Sequence, residues 1–393
     1  MAATATSPPG ATAQTTAAVA GGVVFRGAVY GGSGYADGNL DVLSSLQDLP
    51  HPLQLAPLGL QEDHEGLLPP ARQRELARLQ RRRLDLAQSV FYQCCPALDF
   101  ATHLEARVRV GRTAFETNSL PPGWRERCNA LDQIWVPSQF NRDSFLRAGV
   151  DEHRLRVMPE GLDTGKFRPG LAPLPIPGRR GYAFLSIFDW IDRKGPDVLL
   201  RAFLSAFTAD DDVSLILKIH KFDDPNADLE GRLLHFIERE AGVPLQRAPH
   251  ILVLRGLLPK ADMPRLYASA DAFVLPSRGE GWGRPYMEAA ATQLPVLATR
   301  WSGHLDFLHD DNSYLIDIEG VVPAPRDSDR DVYIGQGWAE PSVEHLAALM
   351  RQVVSQREEA QARARRARQE MVALWDTQVM ARRWTRAFRE LLD

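Results

Sequence analysis

Cysteine is scarce in this chain of 393 residues, and the three that are present suit neither a disulfide framework nor a zinc site. Cys94 and Cys95 are adjacent, Cys128 lies further along the chain, and these spacings match no common zinc pattern. Reduced thiols are typical of a cytosolic protein, so we expect a cytoplasmic location.

An excess of basic charge is also lacking. The chain has 46 lysine and arginine residues against 50 aspartates and glutamates, which leaves a formal net charge of −4. A nucleic-acid-binding protein would carry a basic excess, so no nucleic-acid partner is predicted. No apolar run reaches about 18 residues, and no membrane span is predicted. Residues 1–22 are rich in Ala and Thr, lack the basic start of a secretory signal, and are predicted to form a disordered tail.

Short apolar runs alternate with helical segments in two successive series, and each series predicts a domain built on a buried parallel sheet. A proline-rich segment, residues 168–181, separates the two series and is typical of a linker. The predicted strands are residues 23–30, 89–95, 107–115, 133–138 and 154–161, then 182–188, 213–220, 250–256, 272–277, 295–300 and 313–318. Predicted helices lie between them, for example at residues 76–88.

The predicted domains are doubly wound α/β units whose ligands bind at the carboxyl ends of the strands, with the cleft between the domains as the default site. We place the first domain at residues 23–172 and the second at 173–375. Residues 341–392 are predicted to be helical, and their last part is amphipathic. Residues 376–393 are therefore expected to pack back against the first domain.

Residues 279–289, GEGWGRPYMEA, follow a predicted strand and begin a helix, with Pro285 suited to the first helical position. A helix N-terminus offers free N–H groups, and glycines let a ligand approach the backbone closely. Glu280 and Glu288 could each hold a pair of hydroxyls, such as a ribose diol. Taken alone, Glu288 would instead be a helix-dipole partner and Glu280 a solvated loop residue.

Two further strand-to-helix turns carry candidate residues. Arg193 and Lys194, in the sequence DRKG, could neutralise a pyrophosphate, although such a pair is more often solvated surface. In the first domain, YGGSGYADGN begins like a dinucleotide-binding loop but has Asp37 in place of the third glycine, which argues against a nicotinamide cofactor. A phosphate or sugar could still approach residues 31–33.

Other polar residues have a structural interpretation of equal or greater weight. Glu116 ends a predicted strand facing the cleft, where it orients an acceptor or donor hydroxyl or bonds local amides. His220 and His304 lie near strand ends, where a lone histidine is more often a structural hydrogen-bonding group. The Asp-x-Asp sequences at residues 210–212 and 327–329 lie in polar loops and are interpreted as solvated turns, so no metal site is predicted.

Together these segments resemble the large retaining GT-B glycosyltransferase family that contains bacterial mannosyl- and glucosyltransferases. The resemblance is strongest over residues 135–316. It is carried by IWVPSQFNRDSF, VMPEGLDTGKF, DRKGPDVLLRAF and AFVLPSRGEGWGRPYMEAAATQLPVLATRWSG, the last with the E-x7-E motif. It implies the GT-B fold, in which two Rossmann-like doubly wound domains face a central cleft. The first hundred residues match only in pattern, as expected of a segment that shapes the acceptor site.

The resemblance also implies roles for residues that match the family's motifs. Glu288 would bind the ribose of a nucleoside diphosphate sugar, Glu280 would hold the donor sugar, and Lys194 and Arg193 would stabilise the departing diphosphate. Relatives carry a Gly-Arg pair where this chain has residues 188–190, FDW, so Arg193 would have to substitute. The remaining predicted donor-binding residues are Gly31, Gly32, Ser33, Leu257, Leu258, Gly281, Trp282, Gly283, Arg284 and Pro285.

The implied activity is retaining, metal-independent transfer of a hexose from a UDP- or GDP-linked donor to an acceptor hydroxyl on a glycan, lipid, natural product or protein. No cofactor is expected besides the donor as co-substrate. The resemblance also implies an attack in which the leaving phosphate oxygen helps to deprotonate the acceptor, while preorganised cations would stabilise the leaving group. Alternatives are a nucleotide-sugar epimerase, a glycoside hydrolase that uses the two glutamates as acid and nucleophile, and an inactive nucleotide-sugar-binding protein.

Overall fold

The two series of apolar runs form two separate six-stranded parallel sheets. The computed structural model describes residues 21–63, 66–221, 224, 226–256, 258–325 and 331–393. Nearly all of the predicted tail, the predicted donor-binding residue Leu257 and the loop at 327–329 lie outside the described residues.

The first sheet has the strand order β2-β1-β3-β4-β5-β6, and all of its pairs are parallel. Its strands are β1 (Val23–Gly27), β2 (Leu53–Pro57), β3 (Val90–Cys94), β4 (Val108–Arg112), β5 (Gln133–Val136) and β6 (Leu155–Val157). Its helices are α1 (Gly34–Ser45), α2 (Pro70–Arg81), α3 (Trp124–Asn129) and α4 (Gln139–Arg147). Strand β2 was not predicted. The helix predicted at 76–88 corresponds to α2, which begins at residue 70 because a proline there starts its first turn.

The second sheet has the order β12-β11-β10-β7-β8-β9, again with parallel pairs throughout. Its strands are β7 (Tyr182–Asp189), β8 (Val213–His220), β9 (His250–Leu254), β10 (Ala272–Leu275), β11 (Val296–Thr299) and β12 (Tyr314–Ile316). The helices between them are α5 (Pro196–Ala206), α6 (Leu229–His235), α7 (Met263–Tyr267) and α8 (Arg284–Ala291). The predicted class, two doubly wound parallel sheets, is confirmed.

A two-stranded antiparallel hairpin follows the second sheet, formed by β13 (Ile318–Pro323) and β14 (Gly337–Pro341). This hairpin was not predicted from the sequence. Residues of β13 alternate between half-buried and exposed, so the strand lacks the continuous apolar run that marks the strands of the parallel sheets.

Three helices complete the chain: α9 (Val343–Ser355), α10 (Arg357–Leu374) and α11 (Thr377–Leu392). Helix α11 crosses to the first sheet, where Trp384 and Phe388 pack on Tyr92 and Trp135 in one buried cluster. Within the described residues, no helix combines the length and apolar character needed to cross a bilayer.

Candidate functional site

The loop that leads into α8 packs directly against the first domain. A Cβ atom on Gly279 would lie 1.9 Å from the backbone oxygen of Glu116, and one on Gly281 would lie 2.7 Å from the Cβ of Ala114. The hydroxyl of Ser138, which caps α4, donates to the Gly281 carbonyl at 2.8 Å. These glycines therefore permit close contact between the two domains. The sequence did not reveal this reason for having glycine at both positions.

The start of α8 has the backbone conformation that its sequence suggests. Gly283 precedes the helix with φ of 94°, in the left-handed region, and Pro285 occupies the first turn. A Cβ on Gly283 would lie 2.7 Å from the Tyr286 ring. Pro285 has no N–H, and the N–H groups of Tyr286 and Met287 donate to the Gly283 carbonyl, so the first turn of α8 offers fewer free N–H groups than its sequence suggested.

A cluster of opposite charges lies at the carboxyl end of β7. Lys194 donates to Oε1 of Glu280 at 2.6 Å, and Nη1 of Arg193 lies 3.5 Å from Oε2 of the same carboxylate. Burial alone would raise the pKa of Glu280, but the two cations lower that pKa to about 2. Burial lowers the pKa of Lys194, although Glu280 opposes the shift. The structure thus brings three of the predicted residues together.

Arg193 also reaches the first domain. Its Nη2 lies 3.5 Å from Oε1 of Glu116, its Nε donates to the hydroxyl of Tyr333 at 3.0 Å, and its Nη1 donates to the carbonyl of Gly279. The guanidinium is buried, with 8% of the residue exposed. Arg193 is therefore held on all sides by protein groups, and Lys194 has more freedom to meet an incoming anion.

Glu288 lies in a different electrostatic environment from Glu280. Burial raises its pKa to about 7. The positive charge of Arg284 opposes this rise, and the negative charge of Asp37, in the first domain, adds to it. The two glutamates of the E-x7-E motif therefore have separate neighbours and opposite pKa shifts.

Arg284, one of the predicted donor-binding residues, pairs with carboxylates of the first domain. It lies 3.0 Å from Oε2 of Glu160 and 2.8 Å from Oδ2 of Asp41, and Glu160 also pairs with Arg112 at 3.0 Å. A second pair, Lys260 with Asp37, lies across the same boundary. These partners were not predicted, because nothing local distinguishes them from surface charges.

Several buried polar atoms at this boundary have no hydrogen-bond partner among the described residues. They include Nε of Arg112, Oδ1 of Asn141, Nε of Arg284 and Nδ1 of His304. Buried polar groups are normally satisfied, so these four atoms are exceptions that lie where the two domains meet.

The other predicted donor-binding residues lie in the turn before α1 and in or against the core of the second domain. Gly31, Gly32 and Ser33 lie between β1 and α1, where the Ser33 hydroxyl caps α1 by accepting from Ala36. The side chain of Trp282 packs on Phe307 and Trp375 in the core. Leu258 also packs on the core of the second domain.

The residues given a structural interpretation also have local partners. His304 is buried, contacts the Thr299 carbonyl at 2.7 Å through Nε2, and has a pKa lowered by burial to about 4. Asp211, in the first Asp-x-Asp sequence, accepts from the backbone N–H of Thr208 at 2.7 Å in an exposed turn.

Comparison with known proteins gives a consistent result. Residues 180–327 match the family described as Glycosyl transferases group 1. A GDP-mannose-dependent alpha-(1-6)-phosphatidylinositol monomannoside mannosyltransferase of Mycolicibacterium smegmatis is 24% identical over 273 residues, which cover 61% of this chain and 66% of the relative. A D-inositol 3-phosphate glycosyltransferase of Salinispora arenicola is 28% identical over 195 residues, or 46% of this chain and 42% of the relative. The chain thus spans less than two thirds of the length of either relative.

Solved structures show the fold. HepE of Anabaena, in complex with UDP, superposes with a TM-score of 0.66 at 14% identity and covers 94% of this chain and 100% of its own. Sucrose-phosphate synthase of Thermosynechococcus elongatus gives a TM-score of 0.64 at 14% identity, with 94% and 99% covered. The predicted GT-B fold and the predicted resemblance to group 1 glycosyltransferases are confirmed.

Proposed function

We propose that this chain, with its group 1 glycosyltransferase domain, transfers a hexose from a UDP- or GDP-linked sugar to an acceptor hydroxyl in the cytoplasm, with retention of configuration and without a metal ion. The observation that carries the proposal is the buried cluster of Lys194, Arg193 and Glu280 beside the N-terminus of α8. Relatives named for GDP-mannose and structural neighbours bound to UDP are consistent with either nucleotide.

Breaking the anomeric C–O bond places negative charge on the departing diphosphate. Lys194 lies at the carboxyl end of the second sheet and donates to Glu280, which leaves further ammonium donors for a phosphate oxygen. A cation that is already positioned by the protein stabilises the developing charge without reorganisation at the moment of reaction. Arg193 adds positive charge behind Lys194 while its own contacts remain within the protein.

The two glutamates then bind opposite ends of one donor. Glu280 is ionised because of its two cations, and its carboxylate can accept hydrogen bonds from sugar hydroxyls. Glu288 lies in the second turn of α8, close to Asp37 and Arg284, and is assigned to the ribose diol.

A glycoside hydrolase is the second candidate, and one observation favours it. The pKa of Glu280 is about 2 and that of Glu288 is about 7, the separation expected of a nucleophile and a general acid. Two cations against Glu280 argue for transfer, since they suit a departing diphosphate and reduce the nucleophilicity of the carboxylate.

A thermal-shift screen of UDP- and GDP-linked hexoses tests donor binding, because a ligand that binds only the folded state raises the melting temperature. The stabilising donor is then incubated with and without an acceptor panel. Nucleoside diphosphate released only when an acceptor is present supports transfer. Release with donor alone supports hydrolysis, an epimerised donor supports epimerase activity, and binding without turnover supports a binding protein. Activity that is lost in EDTA contradicts the metal-independent mechanism.

A further inference from the structure

The β13–β14 hairpin brings to the cleft a residue that no motif indicated. The hydroxyl of Tyr333 lies 3.0 Å from Nε of Arg193 and 3.2 Å from Oε2 of Glu116. An arginine N–H only donates, so the hydroxyl accepts from Arg193 and gives its single proton to Glu116. Tyr333 therefore joins a cation of the second domain to a carboxylate of the first.

The ring of Tyr333 is fixed by its surroundings. It packs on Phe115 of the first domain with ring centroids 5.5 Å apart and on Trp338 of the hairpin at 5.9 Å. The guanidinium of Arg193 lies over the ring at 5.6 Å from its centroid. Only 5% of Tyr333 is exposed. The direction of the hydroxyl is thus set by packing and by its two charged partners.

The hairpin itself is attached to both domains. Gly337 and Asn118 exchange two hydrogen bonds of 2.9 Å, which hold β14 to the first domain. Arg278, in the loop after β10, forms two hydrogen bonds of 2.9 Å with the Glu340 carboxylate and holds β14 to the second. A residue held from both sides keeps its geometry, as a preorganised site requires.

We propose that Tyr333 is a positioning residue for sugar transfer, which orients Glu116 and Arg193 at the boundary where donor and acceptor meet. This role rests on the function proposed above. Tyr333→Phe would leave the Arg193 Nε–H without an acceptor and Glu116 with one donor fewer. Both side chains could then rotate, and a small misplacement of a charged group strongly reduces the rate of a preorganised site.

The test compares Tyr333→Phe with Tyr314→Phe. Tyr314 lies in strand β12, and its hydroxyl has no hydrogen-bond partner within the described residues. We expect the Tyr333 variant to lose about tenfold or more in kcat, with the donor KM changed less than about threefold. The Tyr314 variant is expected to keep the activity of the unaltered enzyme. Melting temperatures of both variants establish that each is folded.

A double-mutant cycle with Glu116→Ala, which removes the acceptor of the Tyr333 hydroxyl, separates positioning from simple packing. If Tyr333 acts through Glu116, adding Tyr333→Phe to Glu116→Ala lowers kcat little further, whereas independent effects would multiply. Where Tyr333→Phe does not fold, Glu116→Ala breaks the same hydrogen bond from the other domain and is expected to lower kcat at least as much.

Unchanged kcat in a folded Tyr333→Phe enzyme, or multiplicative effects in the cycle, would overturn the positioning role and leave the transferase function standing. An unaltered chain that neither binds nucleotide sugars nor transfers them would overturn the proposed function and, with it, the role of Tyr333.

Discussion

Replacing Glu288 with glutamine should stabilise the protein at alkaline pH. Burial raises the pKa of this carboxyl from its ordinary value of 4.5 to about 7, so the folded protein binds the proton more tightly than the unfolded chain does. Above pH 7 the ionised carboxylate therefore destabilises the folded state. A tenfold difference in proton affinity between the folded and unfolded states corresponds to about 1.4 kcal/mol. The rise of the pKa from 4.5 to about 7 therefore destabilises the folded state by at most about 3 kcal/mol.

The sign of the effect depends on pH. The destabilisation is fully present above the folded pKa of about 7 and disappears as the pH falls through 7 toward 4.5. Glu288→Gln should therefore raise the free energy of unfolding by up to about 3 kcal/mol at pH 8 and by less than about 1 kcal/mol at pH 5. The ionised carboxylate of Glu280 should instead stabilise the folded state, because its pKa is lowered to about 2. That stabilisation is lost as the pH falls from 4.5 to 2.

Urea unfolding followed by tryptophan fluorescence, at pH 8 and pH 5, measures the effect. Glu344→Gln, an exposed glutamate in the first turn of α9, is the matched control and should change stability by less than about 0.5 kcal/mol at either pH. A Glu288→Gln protein that is no more stable than the original at pH 8, or whose difference is the same at both pH values, would refute the reasoning. A gain in stability with a loss of nucleotide-sugar binding is the expected combination at a functional residue.

Three further changes test other parts of the molecule. Lys194→Met should lower transfer by about 10²–10³, measured as initial rates, whereas Lys194→Arg, which keeps the charge, should lose less; equal rates in both would contradict a role in leaving-group stabilisation. Gly279→Ala places a Cβ 1.9 Å from the Glu116 carbonyl and should abolish transfer. Its control is Gly165→Ala, whose Cβ would lie 3.2 Å from the Asp163 side chain, which can move, so that transfer should be kept. Trp384→Ala should cost about 3–5 kcal/mol of unfolding free energy in urea, because this side chain is 1% exposed in the core that α11 shares with the first sheet. The exposed Leu374, changed to Ala, should cost less than about 0.5 kcal/mol, and a similar loss at both positions would argue against this packing.

The sequence could predict those features that depend on neighbouring residues. Strands such as β8 are continuous apolar runs because a parallel sheet is covered on both faces, and the pattern is visible without the fold. The start of α8 at Arg284, with Pro285 in its first turn, and the charged turn at Arg193 and Lys194 depend on local backbone conformation in the same way. β13 escaped prediction because an edge hairpin with one exposed face has no such run.

Local sequence patterns therefore encode the order of elements, the two parallel sheets and the position of the candidate motifs at the ends of their strands. Which charges meet depends on the packing of the folded chain. Arg284 pairs with Glu160, and Tyr333 with Arg193 and Glu116, over separations of more than a hundred residues. An ion pair or hydrogen bond depends on distance in space, and that distance is set by how the two domains and the hairpin pack together. No local periodicity encodes it.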